Sequence, residues 1–424
     1  MSSAGPGGRA SLSTPRFADL WRELERIGRD PQTGGYRRYS WTPVDAACRA
    51  WFTAQATKRG LDVETDNNGN LWAWWDPKTP NGPRRPGAVV TGSHLDSVPD
   101  GGAFDGPLGV VSALAAVDLL KEKTFSPERP VVLVVFTEEE GARFGRPCLG
   151  SRLLTGAVNP DAARVLTDDA GTRLADAMVA AGHDPGYLGP RDDLLDGIGA
   201  FVELHVEQGR ALAPQGAAVG LAEGIWPHGR WRFEFGGRAD HAGTARLADR
   251  RDPMLPYAST ALAARQAAEQ NGAVATFGKV IVEPNGTNAV PSAVHAWLDA
   301  RAADEATVLD TVTTIRSASE SFCEEHGVAL NVRQESFTPL VRFDEALRDR
   351  IAATLAAAGF SAPTLPTGAG HDAGILAARI PTAMLFVRNP TGVSHSPAEH
   401  ADLADCEAGV RALAAVLEDL AGPA

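Results

Sequence analysis

AVVTGSHLDSVPDGGAFDGPLG, residues 88–109, passes from an apolar run through a polar, Pro/Gly-rich loop into the start of a long apolar helix. Strand, loop and helix in that order place side chains at the carboxyl edge of a sheet, where α/β enzymes put their chemistry. The loop supplies His94, Asp96 and Asp105, an imidazole and two carboxylates suited to a divalent cation. The His94-x-Asp96 spacing lets Asp96 orient the ring from outside the ligand set.

Working outward, residues 131–136 (VVLVVF) are apolar at every position, as a central strand covered on both faces requires. The run ends in Thr137-Glu138-Glu139-Glu140-Gly141, three adjacent carboxylates that repel one another unless a cation sits among them. Alternation in FVELHVEQG, residues 201–209, places Glu203, His205 and Glu207 on one side of an extended segment. Toward the C-terminus come GAGHDA at 368–373, a strand at 382–387, SHSP at 394–397 and an amphipathic helix at 402–421.

On the N-terminal side, Thr14-Pro15 and Thr42-Pro43 each read as a helix cap and first turn. Asp66-Asn67-Asn68-Gly69 reads as a turn between strands 61–65 and 71–75, with Trp72, Trp74 and Trp75 as packing. The character changes near 214. A β-α-β-β-α-β order follows, with helices at 253–269 and 304–326 and strands at 231–235, 277–282 and 293–301. That is the ferredoxin-like pattern with an antiparallel sheet. The expected class is α/β, with a mixed, mostly parallel central sheet and an inserted α+β ferredoxin-like lid or dimerisation domain. The expected division is a flexible tail at 1–14, a catalytic domain of 15–213 with 332–424, and the insertion at 214–331.

A length of 424 residues allows about two domains. A net charge of −13 argues against a nucleic-acid surface, and no apolar run approaches the ~18 residues of a membrane span. The N-terminal residues lack the apolar core of a signal peptide. Cys48, Cys148, Cys323 and Cys406 are scattered with no CxxC pair, which fits reduced thiols in a cytoplasmic protein.

The candidate metal ligands are thus His94, Asp105, Glu139 or Glu140, His205 and His395. Their nitrogen and oxygen donors suit Zn²⁺, Mn²⁺, Co²⁺ or Ni²⁺. Five ligands exceed the three protein ligands usual for one catalytic zinc. They suit a pair of metals about 3.5–4 Å apart that share one carboxylate.

GSHLDSV, GAFDGPLGV, EEGARFG, ELHVEQG, DHAGT, GAGHDA and SHSPAE occur in this order, and from about residue 15 onward the chain resembles the hydantoinase/carbamoylase branch of the aminoacylase/carboxypeptidase superfamily of dinuclear metallohydrolases. The resemblance implies Asp105 as bridging carboxylate, His94, Glu140, His205 and His395 as the other ligands, and Glu139 as general base. It implies His241, in DHAGT, as an oxyanion donor reaching the partner's active site, and hence a homodimer. Arg230, Asn288 and Arg301 match positions that hold a substrate carboxylate, and Gln208 and His371 match pocket-lining positions.

The implied activity is hydrolysis of the linear ureido or amide C–N bond of an N-carbamoyl amino acid or allantoate, with two divalent metals per subunit. Thr244 is followed by Ala245-Arg246-Leu247 where relatives commonly read HAGTTPM. Residues 386–392 (FVRNPTG) replace a serine/glycine-rich stretch. Arg246 and Arg388 therefore raise an alternative, a deacylase for N-formyl or N-carbamoyl acidic amino acids. An aminoacylase or dipeptidase is a second alternative, and a non-enzymatic binding protein a third.

Overall fold

A computed structural model describes residues 15–79 and 84–423. The expected tail at 1–14 lies outside the described residues. The described residues form two units, one within Met1–Glu223 and Phe343–Ala424, the other Gly224–Arg342.

In the first unit, strands lie side by side in the order Asp62–Thr65, Leu71–Trp75, Val131–Phe136, Ala88–His94, Ile198–Val206, Thr382–Val387 and Val219–Ile225. The four at the centre run parallel, and the flanking pairs are antiparallel. Every residue of Leu71–Trp75, Ala88–His94, Val131–Phe136 and Thr382–Val387 is buried. This is why these strands are apolar without alternation. Helices Pro107–Glu122 and Leu403–Ala421 share their hydrophobic core. Gly109 lets the first of them approach closely, since a Cβ there would lie 2.3 Å from the Leu204 carbonyl oxygen.

Two local signals in the sequence have clear physical causes. Thr42 caps helix Pro43–Lys58 by accepting the Asp45 N–H, and the Asp45 carboxylate takes the Trp41 N–H in return. This exchange satisfies one donor that the helix start leaves without a partner and ties down the residue before the cap. In the 66–70 turn, buried Asp66 accepts the N–H groups of Asn68 and Asn70, the Asn70 amide and the Trp72 indole. Trp72 is thus a packed wall with its one polar atom satisfied.

The parallel strands end along one edge, with His94 in register with Phe136 and His205 with Phe386. The residues singled out in the sequence leave the sheet there.

The second unit is an antiparallel sheet in the order Ala329–Thr338, His228–Gly236, Ala293–Arg301, Val274–Glu283, with helices Met254–Asn271 and Glu305–His326. Fourth, first, third, second is the strand order of the ferredoxin-like pattern. Trp231, Phe233, Phe235, Val294 and Leu298 pack with Ala264, Val308 and Ile315 of the helices. Arg230, Arg232, Glu234, Asp299 and Arg301 alternate with them on the other face.

This unit begins at Gly224 and ends at Arg342, where the sequence reading placed 214 and 331. The difference has a cause at each end. Residues Val219–Leu221 pair with Leu385–Val387 in the first sheet, whereas the strand Ala329–Thr338 completes the second.

Candidate metal centre

His94 closes its strand with its ring fixed. Nδ1 donates to the Asp96 main-chain oxygen at 3.1 Å, so the lone pair is on Nε2. That nitrogen is buried without a hydrogen-bond partner. Asp105 Oδ1 and Glu139 Oε2 stand 3.6 and 3.5 Å from it. His205 repeats the device, with Nδ1 to the Val206 oxygen at 2.9 Å and Nε2 3.2 Å from Asp105 Oδ1. Gly106 passes over these rings with a left-handed φ of 83°, and a Cβ there would lie 2.4 Å from His94 Cε1. Only glycine fits both demands.

The other Asp105 oxygen faces a different set. Oδ2 lies 3.3 Å from His395 Nε2 and accepts from Gln208 Nε2 at 2.6 Å and Ser394 Oγ at 3.2 Å. Glu140 Oε2 is 3.7 Å from His395 Nε2, while its Oε1 accepts the Val98 N–H. Two groups of ligand atoms result, His94–Asp105–His205 and Asp105–Glu140–His395, each with all atoms within 4.8 Å of one another. They share only Asp105. Oxygen and imidazole donors with an unpartnered, buried Nε2 fit divalent cations of the first transition row.

A third group, Glu203–His205–His371, meets the same distance. Its Glu203, however, is already engaged by the Ser93 hydroxyl at 2.7 Å and the Ala373 N–H at 3.1 Å. The His371 ring lies 4.5 Å from that of His205, and burial holds it well below the usual imidazole range, hence neutral. Glu207, on the same side of the segment, caps residues 211 and 212.

Glu139 belongs to neither of the two Asp105 groups. It is buried, with Oε2 toward His94 and Oε1 accepting from Cys148 Sγ at 3.4 Å. Neighbouring Glu138 takes the N–H groups of Arg143 and Phe144 at 3.0 and 2.8 Å and folds the acidic loop.

The Asp96 carboxylate faces both the His94 ring and the acidic loop. It lies 3.6 Å from His94 Nδ1 and also accepts the N–H groups of Glu139 and Glu140 at 3.2 and 3.0 Å. Glu399 and Ser394 had no assigned role in the sequence. Both belong to the SHSPAE motif, residues 394–399, on either side of His395.

In the second unit, Arg230 and Arg301 both pair with Asp299. Arg301 does so through two nitrogens at 2.6 and 3.0 Å, and Arg230 more loosely at 3.4 Å. His241 and Asn288 lie on neighbouring short strand ends joined by the Ala242 N–H to the Asn288 oxygen. The Gly243 N–H donates to His241 Nδ1 at 3.0 Å, which leaves Nε2 carrying the proton as a donor.

The two arginines behind the acidic-substrate alternative have other partners. Arg388 grips Asp405 at 2.7 and 2.9 Å, and Arg246 pairs with Asp249 on a largely exposed side chain.

Protons stand where cations would. Burial opposes charge on His94 and His205, yet Glu139 and Asp105 outweigh it, and both rings are held above the usual range. Burial and then Asp105 push Glu140 up to about 7, and the hydrogen bond to Asp105 raises His395 to about 9. Raised values mean that the stability contributed by these two groups in the metal-free chain is fullest below their ordinary values. It is lost from about pH 4.5 to 7 as Glu140 ionises, and from about 6.5 to 9 as His395 loses its proton. Above about pH 6.5, where the lowered histidines such as His371 no longer contribute, the metal-free chain should melt at progressively lower temperature up to pH 9. Cation uptake should release protons, with affinity rising over the same range. Calorimetry in two buffers of different ionisation enthalpy measures the protons; uptake without proton release would contradict the account.

Fold and site define a metal-dependent hydrolase. The pattern of Peptidase family M20/M25/M40 matches residues 90–419, and the chain belongs to that family. Within it, the chain is 36% identical over 399 residues to an N-carbamoyl-L-amino acid amidohydrolase of Geobacillus stearothermophilus, covering 93% of this chain and 96% of the relative. It is 34% identical to an allantoate amidohydrolase of Escherichia coli, covering 94% and 96%. A crystal structure of a hydantoinase/carbamoylase family amidase from Burkholderia vietnamiensis superposes with a TM-score of 0.86 at 29% identity, covering 96% of this chain and 97% of that one. The chain is an amidohydrolase, acting on amide C–N bonds other than peptide bonds. Among the described residues no helix is long and apolar enough to cross a membrane.

Proposed function

We propose that the chain hydrolyses the ureido or amide C–N bond of an N-carbamoyl-L-amino acid or of allantoate, using two divalent cations and Glu139 as general base. One observation carries this reading: the two oxygens of Asp105 face two separate ligand groups, and Glu139 stands beside them in neither. His94 and His205 would hold one cation, Glu140 and His395 the other, with Asp105 between them. Bound cations supply Lewis acidity, lowering the pKa of water and polarising a carbonyl.

Glu139 takes the proton of the attacking water and returns it to the leaving nitrogen, the two halves of general acid–base catalysis. Its burial suits a group that must hold a proton between those steps. Arg301 and Arg230, steadied by Asp299, offer forks for the substrate carboxylate, with Asn288 adding an amide. His241 donates through Nε2 to the developing oxyanion across a homodimer, and the Gly224–Arg342 unit serves as lid and dimerisation domain. Gln208 and His371 line the pocket. Four buried, unpaired cysteines suit a reducing, cytoplasmic setting.

The test is hydrolysis of allantoate and of N-carbamoyl, N-formyl, N-acetyl and dipeptide substrates, read as ammonia release for the two ureido compounds and as the freed amino group for the others, after metal stripping and re-addition of Mn²⁺, Zn²⁺, Co²⁺ or Ni²⁺. Metal-dependent turnover confined to dipeptides would overturn the reading. Arg301→Lys should raise KM roughly 10-fold or more with a smaller effect on kcat, because an ammonium cannot make the bidentate pair. A KM unchanged by that substitution would remove Arg301 from the substrate site.

A further inference from the structure

Glu399 lies 294 positions from Asp105 in the chain and is 5% exposed. Its Oε1 accepts the main-chain N–H groups of Phe104 at 2.8 Å and Asp105 at 2.9 Å. Its Oε2 is 3.1 Å from Ser394 Oγ, and that hydroxyl is 3.2 Å from Asp105 Oδ2. Gly102 packs against the same carboxylate, for a Cβ there would lie 2.4 Å from Glu399 Oε1.

We infer that Glu399 is a positioning residue that sets Asp105 so that its two oxygens divide between the two ligand groups. This rests on the two-cation reading proposed above. The segment before Asp105 is the Pro/Gly-rich loop, bridged to Tyr36 at Gly101 but paired with no strand from there to Asp105. Two peptide N–H groups pointing the same way at a buried carboxylate fix it instead, because turning the loop would leave both unsatisfied. The second carboxylate oxygen does the same for the other end of the site. Ser394 precedes His395, so one side chain ties the Asp105 loop to the segment carrying the last histidine. Outer partners of this kind orient ligands that would otherwise sample several directions, and losing one typically costs about 10–100-fold in metal affinity.

The experiment is a Mn²⁺ titration of the full, chelator-stripped chain, followed by electron paramagnetic resonance, which separates single ions from coupled pairs. Glu399→Met fills the volume without an acceptor and should weaken the second Mn²⁺ by about 10–100-fold, leaving mostly uncoupled ions. Glu399→Gln keeps an acceptor oxygen for Phe104 and Asp105 and should bind the second ion within about 10-fold of the unaltered chain. Wild-type coupling in Glu399→Met would overturn the inference and leave the two-cation reading standing. Fewer than two ions in the unaltered chain would overturn both. Should Glu399→Met fail to fold, Ser394→Ala decides: it cuts only the hydroxyl link and should weaken the second ion several-fold, and unchanged binding overturns the inference.

Discussion

Glu139→Gln is expected to lower kcat by about 10²–10⁴, the range for loss of a general base, or ~2.7–5.5 kcal/mol of barrier. The amide has nearly the same shape but accepts no proton at neutral pH. Metal content should stay at the wild-type level, because Glu139 stands outside both groups that share Asp105. KM should change little, since the groups proposed to hold the substrate carboxylate are Arg230, Asn288 and Arg301. The distinguishing measurement is metal analysis alongside steady-state kinetics on the same preparation. A rate within a few-fold of wild type would remove the base from Glu139. A matching loss of metal would instead make it a ligand. The neighbouring carboxylate gives the contrast: Glu140 lies 3.7 Å from His395, and Glu140→Gln should lose metal and rate together.

The division between Glu139 and Glu140 marks the boundary of what sequence alone could give. Val131–Phe136 was legible because six apolar residues in a row have one explanation in an α/β chain. Ala293–Arg301 was legible because its alternation separates a helix-covered face from an open one. His94, Asp105, Glu140, His205 and His395 stood out as short polar motifs at the ends of such strands, and they come together at one sheet edge.

Contacts between distant loops were not legible. Which histidine shares which Asp105 oxygen depends on how three loops cross. Glu399 reads as an ordinary surface glutamate until it is seen beneath Phe104 and Asp105. Arg388 looked available for a second acidic group because Asp405, seventeen residues on, carries no sequence mark of being its partner. Where the second unit starts depends on pairing of the same kind. Val219–Leu221 belong to the first sheet by virtue of pairing with residues more than a hundred and fifty positions later.

Asp105→Asn should have the larger effect on the site itself. An amide supplies one ligand oxygen where the carboxylate supplies two. Gln208 Nε2 and Ser394 Oγ both lie against Oδ2, and as donors they favour keeping the oxygen there. The amide nitrogen then faces His94 and His205, whose Nε2 atoms stand 3.6 and 3.2 Å from the other position. A nitrogen carrying two protons cannot ligate a cation, so that group loses its only carboxylate. The expected result is at most one tightly held ion per chain and turnover near background, a deeper loss than the 10–100-fold typical of outer partners. Stability offers an independent reading, because a cation at a hundred times its dissociation constant adds ~2.7 kcal/mol to the folded state. Wild-type protein should melt at higher temperature when Mn²⁺ is restored, and Asp105→Asn should gain much less. Two ions per chain with an undiminished thermal shift in the variant would mean that Asp105 does not join the two groups, and the shared-carboxylate chemistry would have to be abandoned.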